Sequence, residues 1–123
     1  MKHDDRVYLQ HMLDAIDTIK TYLIGVDEAT FRAQRLIQDG VIRQLEIIGE
    51  AVKHLSTAMR SQYPHVPWQD IASMRDQLIH QYFGVDLDEV WLTATEDVPL
   101  FKAEIQVIRT ALQADQTNPP EIV

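Results

Sequence analysis

The sequence predicts an all-α bundle, and three observations carry that expectation. Apolar residues recur at spacings of three and four over most of the chain, the period that lines one face of an α-helix. No stretch alternates apolar and polar residues for long enough to make a strand. The places where the helical pattern stops hold aspartates, glycines and prolines, the residues that start or end helices. With 123 residues, 46% of them hydrophobic, the chain suits one compact domain that buries roughly two-thirds of its unfolded surface.

Residues 5–24 read as an amphipathic helix with Leu9, Met12, Leu13, Ile16, Ile19 and Leu23 on one side. Asp4 or Asp5 can cap its start, and Gly25 is placed to end it. Asp27 begins a short segment with Glu28, Ala29 and Phe31. A long helix is expected over 32–60, where Val41, Leu45, Ile48, Val52, Leu55 and Met59 make an unbroken stripe. Ile42, Ile47 and Ala51 widen that stripe, so more than one neighbour packs on it. Gly40 and Gly49 interrupt it at about 1 kcal/mol each relative to alanine. Because the stripe continues through Gly49, this glycine reads as a close approach of two helices rather than a break.

Pro64 and Pro67 bracket a turn, and the next helix runs over 69–81 until Gly84 and Val85-Asp86 break it. Asp86 can cap a further helix carrying Leu87, Val90, Trp91 and Ala94. Asp97 and Pro99 open a last helix with Leu100, Phe101, Ile105, Ile108 and Leu112 inward. Pro is well tolerated in a first turn. That makes about five helices in a domain over 1–114. Residues 115–123, with Asn118-Pro119-Pro120, are expected as a disordered tail.

The chain contains no cysteine, which excludes a disulfide framework, a thiolate nucleophile and a cysteine-ligated zinc. Met-Lys-His-Asp-Asp-Arg at the start has no apolar signal-peptide core behind it, and no apolar run approaches the ~20 residues of a membrane span. A cytoplasmic protein with no membrane partner is the expectation. The net charge of -8 argues against a broad basic surface for nucleic acid. It leaves room for a small cationic cleft that a few arginines dominate, or for a basic partner protein.

The most informative stretch is Arg75-Asp76-Gln77-Leu78-Ile79-His80-Gln81-Tyr82. It sets a permanent cation, a titratable imidazole and a phenol within one short segment. An arginine holds a phosphate as a planar, always-charged fork. A histidine gives or takes a proton near neutral pH. Together they are the minimum for cleaving a phosphodiester without a metal. On a regular helix Arg75 and Tyr82 stand nearly one above the other, and Asp76 and His80 share a face. Arg75 and His80 lie about 140° apart, which is awkward for joint work on one phosphate. Either the helix distorts near its end, or the Arg and His of two chains meet across a two-fold axis.

Arg75-x4-His80-x-Tyr82 resembles the Arg-x4-6-His signature of the HEPN superfamily, in the Arg-x4-His-x-Tyr form of the HepT-like toxins. Leu45-Glu46-Ile47-Ile48-Gly49-Glu50-Ala51 is similar to that family's central helix. Pro67-Trp68-Gln69-Asp70-Ile71 resembles its lead-in to the motif, and Tyr82-Phe83-Gly84-Val85-Asp86 with Val90-Trp91 resembles its segment on the C-terminal side of the motif. The resemblance spans roughly residues 6 to 112. It implies a HEPN-type helical bundle that dimerises near the motif helix and a metal-independent ribonuclease without a cofactor of its own.

The resemblance also implies a toxin whose antitoxin is a minimal nucleotidyltransferase, MNT, which uses ATP to place AMP on the motif tyrosine. Carried over, Arg75 and His80 are catalytic, Tyr82 is the modified residue, and tRNA or mRNA is the substrate. DNA, which lacks the 2′-OH, is not cut. The family often has asparagine after the arginine. Asp76 stands there instead, and it either orients His80 and raises its basicity or repels a phosphate.

Blander readings stand beside these. A His-x-Tyr at a helix end is often a surface feature, and Arg75 can simply pair with Asp76. Glu46 and Glu50, four apart, have a spacing that suits a metal or an acid–base pair but more often marks a solvated face. His3, His11, His54 and His65 show no ligand spacing. Arg32, Arg35 and Arg43 can guide RNA, yet a mixed-charge face is normally just solvated. Trp68 and Trp91 read as core or interface anchors. The competing function is a catalytically inactive helical partner or adaptor of a nucleotidyltransferase, with Tyr82 only its substrate.

Overall fold

A computed structural model describes residues 4–80 and 84–117, with the backbone alone for 79, 80 and 115–117. The described residues form helices α1 (Asp5–Tyr22), α2 (Glu28–Ala33), α3 (Arg35–Lys53), α4 (Thr57–Gln62), α5 (Trp68–His80), α6 (Leu87–Leu92) and α7 (Val98–Thr117), with a π-helical segment Thr93–Asp97 between the last two. No strand occurs among them. Helix α3 is the central rod, with α1 packed on one side and α5 on another, and α7 lies against α1.

The apolar periods of the sequence become the core. Leu9, Met12, Leu13, Ile16 and Ile19 of α1 are buried, as are Val41, Leu45, Ile48 and Val52 of α3. Leu55 and Met59 continue the same stripe into the core, although Leu55 lies in the link after α3 and Met59 on α4. Phe101, Ile105 and Ile108 close it from α7, but Leu100, expected inward, is 69% exposed. Trp68 is buried, donates its indole N–H to the Tyr63 carbonyl at 2.9 Å, and meets Phe101 edge-on at 6.0 Å. Trp91 stacks on Phe31 at 5.3 Å.

The single long helix expected over 32–60 is divided twice. Gln34 is extended (φ -115°, ψ 93°) and separates α2 from α3. The Gln38 side chain satisfies the carbonyls left open there, donating to Phe31 and Arg32 at 2.9 and 3.0 Å. Ser56 then N-caps α4 by accepting from the Met59 N–H at 3.1 Å. Asp5, at the first turn of α1, accepts from the Ser56 N–H at 2.8 Å and from its hydroxyl at 2.7 Å. A carboxylate distant in sequence therefore ends α3, by offering the backbone a better partner than the next helical turn.

Of the two candidates at the start of α1, Asp4 is the cap, the expected cap at Asp86 forms, and Asp27 caps α2. Helix α1 ends at Tyr22 with Leu23 as its C-cap, and Gly25, two residues beyond the cap, takes φ +70°, a left-handed conformation cheap only for glycine. At Asp97-Pro99 the sequence suggested a new helix start. The chain instead stays helical through a π segment, where the Val98 N–H reaches back to the Thr93 carbonyl. Pro99 lacks an N–H and its ring would crowd the carbonyl four residues earlier. The wider π turn absorbs both effects without ending the helix.

Helices α3 and α5 approach most closely at Gly49. A Cβ on Gly49 would lie 2.3 Å from Arg75 Cβ and 3.0 Å from the Ile71 carbonyl oxygen. Close approach, rather than a break, is what this glycine provides. Gly40 differs, because a Cβ there would meet only the Tyr22 ring, at 3.0 Å, and that ring can move. Gly49→Ala should therefore destabilise the fold by about 1–3 kcal/mol through overpacking. Gly40→Ala should be neutral or stabilising, because alanine is the better helix former. Urea unfolding of the two variants checks the contrast; equal stabilities would contradict it.

Candidate active site

Arg75 rises from the middle of α5 where that helix rests on Gly49. Its Cβ lies against the α3 backbone, so the root of the side chain has little freedom. The guanidinium is then held at two points. Nε forms an ion pair with Glu50 Oε2 at 3.0 Å, and Nη1 donates to Asp76 Oδ1 at 3.3 Å. The side chain is 27% exposed, so part of the fork faces solvent. Glu50 follows Gly49 directly on α3 and stands at the rim of the closest helix contact.

Asp76 does not stand alone as a negative charge. The Lys53 ammonium at the end of α3 donates to its Oδ1 at 2.5 Å. That hydrogen bond, with a smaller contribution from Arg75, holds the Asp76 carboxyl below the ordinary carboxylate range. Asp76 is thus a fixed anion bracketed by two cations, and Lys53 offsets the charge expected to repel a phosphate. Glu50 is shared in turn, with its Oε1 3.2 Å from His54 Nε2. His54 stacks on Tyr8 of α1 at 5.1 Å with planes 10° apart, and His11 meets Tyr8 edge-on at 5.9 Å.

His80 is the last residue of α5, and its side chain lies outside the described residues, as does the whole of Tyr82. The backbone still constrains the pair Arg75–His80. Helix α5 is regular α-helix from Trp68 to His80, so the distortion considered from the sequence does not occur up to His80. The two positions stay about 140° apart around the axis.

Two of the cavities beside α5 lie along its middle. One of 280 Å³ is shared by α1, α3 and α5 and lined by Tyr8, Arg43, Glu46, Glu50, His54 and Arg75, among others. The other, of 580 Å³, lies between α5 and the α6–α7 rod, with an apolar floor including Leu45, Ile48, Met74 and Phe101, and carboxylates including Asp70, Asp86 and Glu104. Among the described residues, Arg75 lines the first and not the second. Among the described residues no three carboxylate or imidazole side chains cluster to hold a metal ion, and no helix is long and apolar enough to cross a membrane.

Glu50, Lys53, His54 and Tyr8 join the arginine's surroundings although the sequence did not single them out for that part. Gly49 carried the only usable signal: a glycine read as a helix contact makes the residue beside it a candidate partner for whatever crosses there. The pairing of Lys53 with Asp76 gives a checkable consequence. A carboxyl held below its ordinary value stabilises the fold above that value and loses the effect as pH falls through the lowered one. Asp76→Asn should be less stable than wild type at pH 7, with the gap closing well below the ordinary value of 3.8. Urea melts at pH 7 and at acid pH test this, and a gap that persists in acid would contradict it.

The family described as Ribonuclease HepT-like matches residues 12–108. A Methanocaldococcus jannaschii protein described as a gamma-glutamylcyclotransferase and candidate RNase is 42% identical over 96% of this chain and 53% of its own length, so the chain spans about half of that relative. A candidate RNase of the same organism is 38% identical over 95% of this chain and 97% of its own. A probable ribonuclease HepT of Thermococcus cleftensis is 38% identical over 89% of this chain and 99% of its own. No solved structure matches. The match covers the whole of α3 and α5, with Gly49, Arg75 and His80 inside it, and the chain belongs to the HepT-like ribonuclease family.

Proposed function

We propose that the chain cuts RNA without a metal, and is the toxin of a cytoplasmic toxin–antitoxin pair silenced by AMP on Tyr82. The domain over 1–114 carries this activity. The observation that supports the reading best is the held arginine. Arg75 is fixed at its root by Gly49 and aimed by Glu50 and Asp76, five positions before His80 on a regular helix.

In this mechanism Arg75 binds the scissile phosphate and stabilises the charge that builds on the phosphorane. His80 takes the proton of the ribose 2′-OH, or gives one to the leaving oxygen. The 2′-oxygen attacks phosphorus and the bond to the 5′-oxygen breaks. The products are a 2′,3′-cyclic phosphate and a 5′-hydroxyl. The nucleophile belongs to the substrate, so DNA is not cut.

Because α5 is regular, Arg75 and His80 of one chain diverge. A homodimer about a two-fold axis beside α5 brings each arginine toward the partner's histidine. The antitoxin is a minimal nucleotidyltransferase: the Tyr82 oxygen attacks the α-phosphate of ATP and pyrophosphate leaves. The added AMP blocks RNA by bulk and by negative charge.

The test is cleavage of purified tRNA and mRNA in excess EDTA, with intact mass showing Tyr82 unmodified. Wild type should cut and His80→Ala should not. Cutting by both would remove His80 from the mechanism, and cutting by neither would favour an adaptor of a nucleotidyltransferase over a nuclease. Arg75→Lys keeps the charge but loses the fork, and should lower kcat by about 10²–10³-fold in the same assay. Unchanged kcat would remove Arg75 from the transition state.

A further inference from the structure

Besides Arg75, the 280 Å³ cavity is lined by side chains the cleavage chemistry does not use. Its charged lining is two arginines, Arg43 and Arg75, and two glutamates, Glu46 and Glu50, and both arginines already have carboxylate partners at 3.6 and 3.0 Å. Charges balanced in this way offer no second phosphate site beyond Arg75 itself. What the cavity offers instead is an aromatic ring in a fixed plane. Tyr8 backs the His54 imidazole from below, Glu50 pins it through Nε2, and the His54 side chain remains 51% exposed.

Size agrees with a small occupant. The volume lies just under the roughly 300 Å³ at which pockets for whole small-molecule ligands begin, a scale that suits one base with part of its ribose. Charge agrees as well. A chain of net charge -8 gains little RNA affinity from counterion release. Base stacking is the contribution left to it, and single-stranded RNA is generally held by bases stacked on aromatic and imidazole rings.

We propose that this cavity binds one unpaired base of the RNA substrate, stacked on His54, with the phosphate beside that base on Arg75. His54 is then a binding residue, and Tyr8 a positioning residue that acts through it. The inference rests on the ribonuclease reading, and it places the substrate's neighbouring nucleotide on the α1–α3 side of the motif helix. The ring face reads any base, so the subsite favours unpaired RNA over a duplex without choosing a sequence.

The test uses the full chain with Tyr82 unmodified and a fluorescein-labelled 2′-O-methyl hexa-adenylate, which has no 2′-OH to attack. Fluorescence anisotropy should show His54→Ala binding about tenfold more weakly than wild type. His54→Phe, which keeps a ring but not the bond to Glu50, should return to within about twofold. A hexamer with the same backbone and no bases should bind wild type and His54→Ala alike, and circular dichroism should show both variants folded.

The proposal is overturned if wild type does not bind the probe, or if His54→Ala binds it as wild type does. It is also overturned if His54→Phe is as weak as His54→Ala, or if the base-free hexamer shows the same loss. Because the probe cannot be cut, the outcome is independent of cleavage. RNA cutting with no dependence on His54 would sink this subsite and leave the nuclease standing. Stacking on His54 in a protein that cuts nothing would do the reverse.

Discussion

The contact on which the rest depends is the one between Gly49 and Arg75. Two helices can cross this closely only where one of them lacks a side chain. A glycine in the middle of a nineteen-residue helix costs about 1 kcal/mol in helix propensity, and nothing in α3 taken alone explains why it is there. The crossing does. With no Cβ at 49, the Cβ of Arg75 touches the α3 backbone, and the long side chain starts from a fixed root. Less rotamer freedom is then lost when the guanidinium engages a ligand. The next residue on α3, Glu50, is carried to the guanidinium by the same register, and Lys53 reaches Asp76 four residues after Gly49.

That arrangement resolves a tension in the charge. An acidic chain that handles RNA must hide its carboxylates from the phosphate while keeping an arginine available. Here the carboxylates nearest Arg75 are each committed elsewhere as well, Asp76 to Lys53 and Glu50 to His54. Arg75 rests between partners that hold it only partly. It keeps exposed surface for an incoming anion, and the anion does not meet an isolated negative charge. The arrangement is weakly attractive to phosphate in general, which suits a protein that should not coat itself with nucleic acid.

Most of the helical architecture was legible because amphipathic helices write their buried face into the sequence at a fixed period. The stripe from Val41 to Met59 was read correctly as a core face, yet it crosses a helix boundary that periodicity cannot show. The break at His54–Ser56 is imposed by Asp5, a residue of another helix, and the one at Gln34 by the side chain of Gln38. Pro99 was read by its usual meaning, a start, because a π turn leaves no compositional trace. Leu100 followed from the same assumption about register and turned out exposed. In the site, Arg75 was visible as part of a local motif. Glu50, Lys53 and His54 were not, since their part is set by how α3 crosses α5.

A regular α5 has a consequence for how activity is organised under the proposed mechanism. Arg75 holds charge and His80 moves a proton, and these tasks need two directions of approach to one phosphate. One straight helix points them about 140° apart. In the proposed homodimer, two such helices related by a two-fold axis would bring the arginine of one toward the histidine of the other. Cleavage would then require the assembled pair, and the fraction of competent sites would rise with the chain's concentration by mass action.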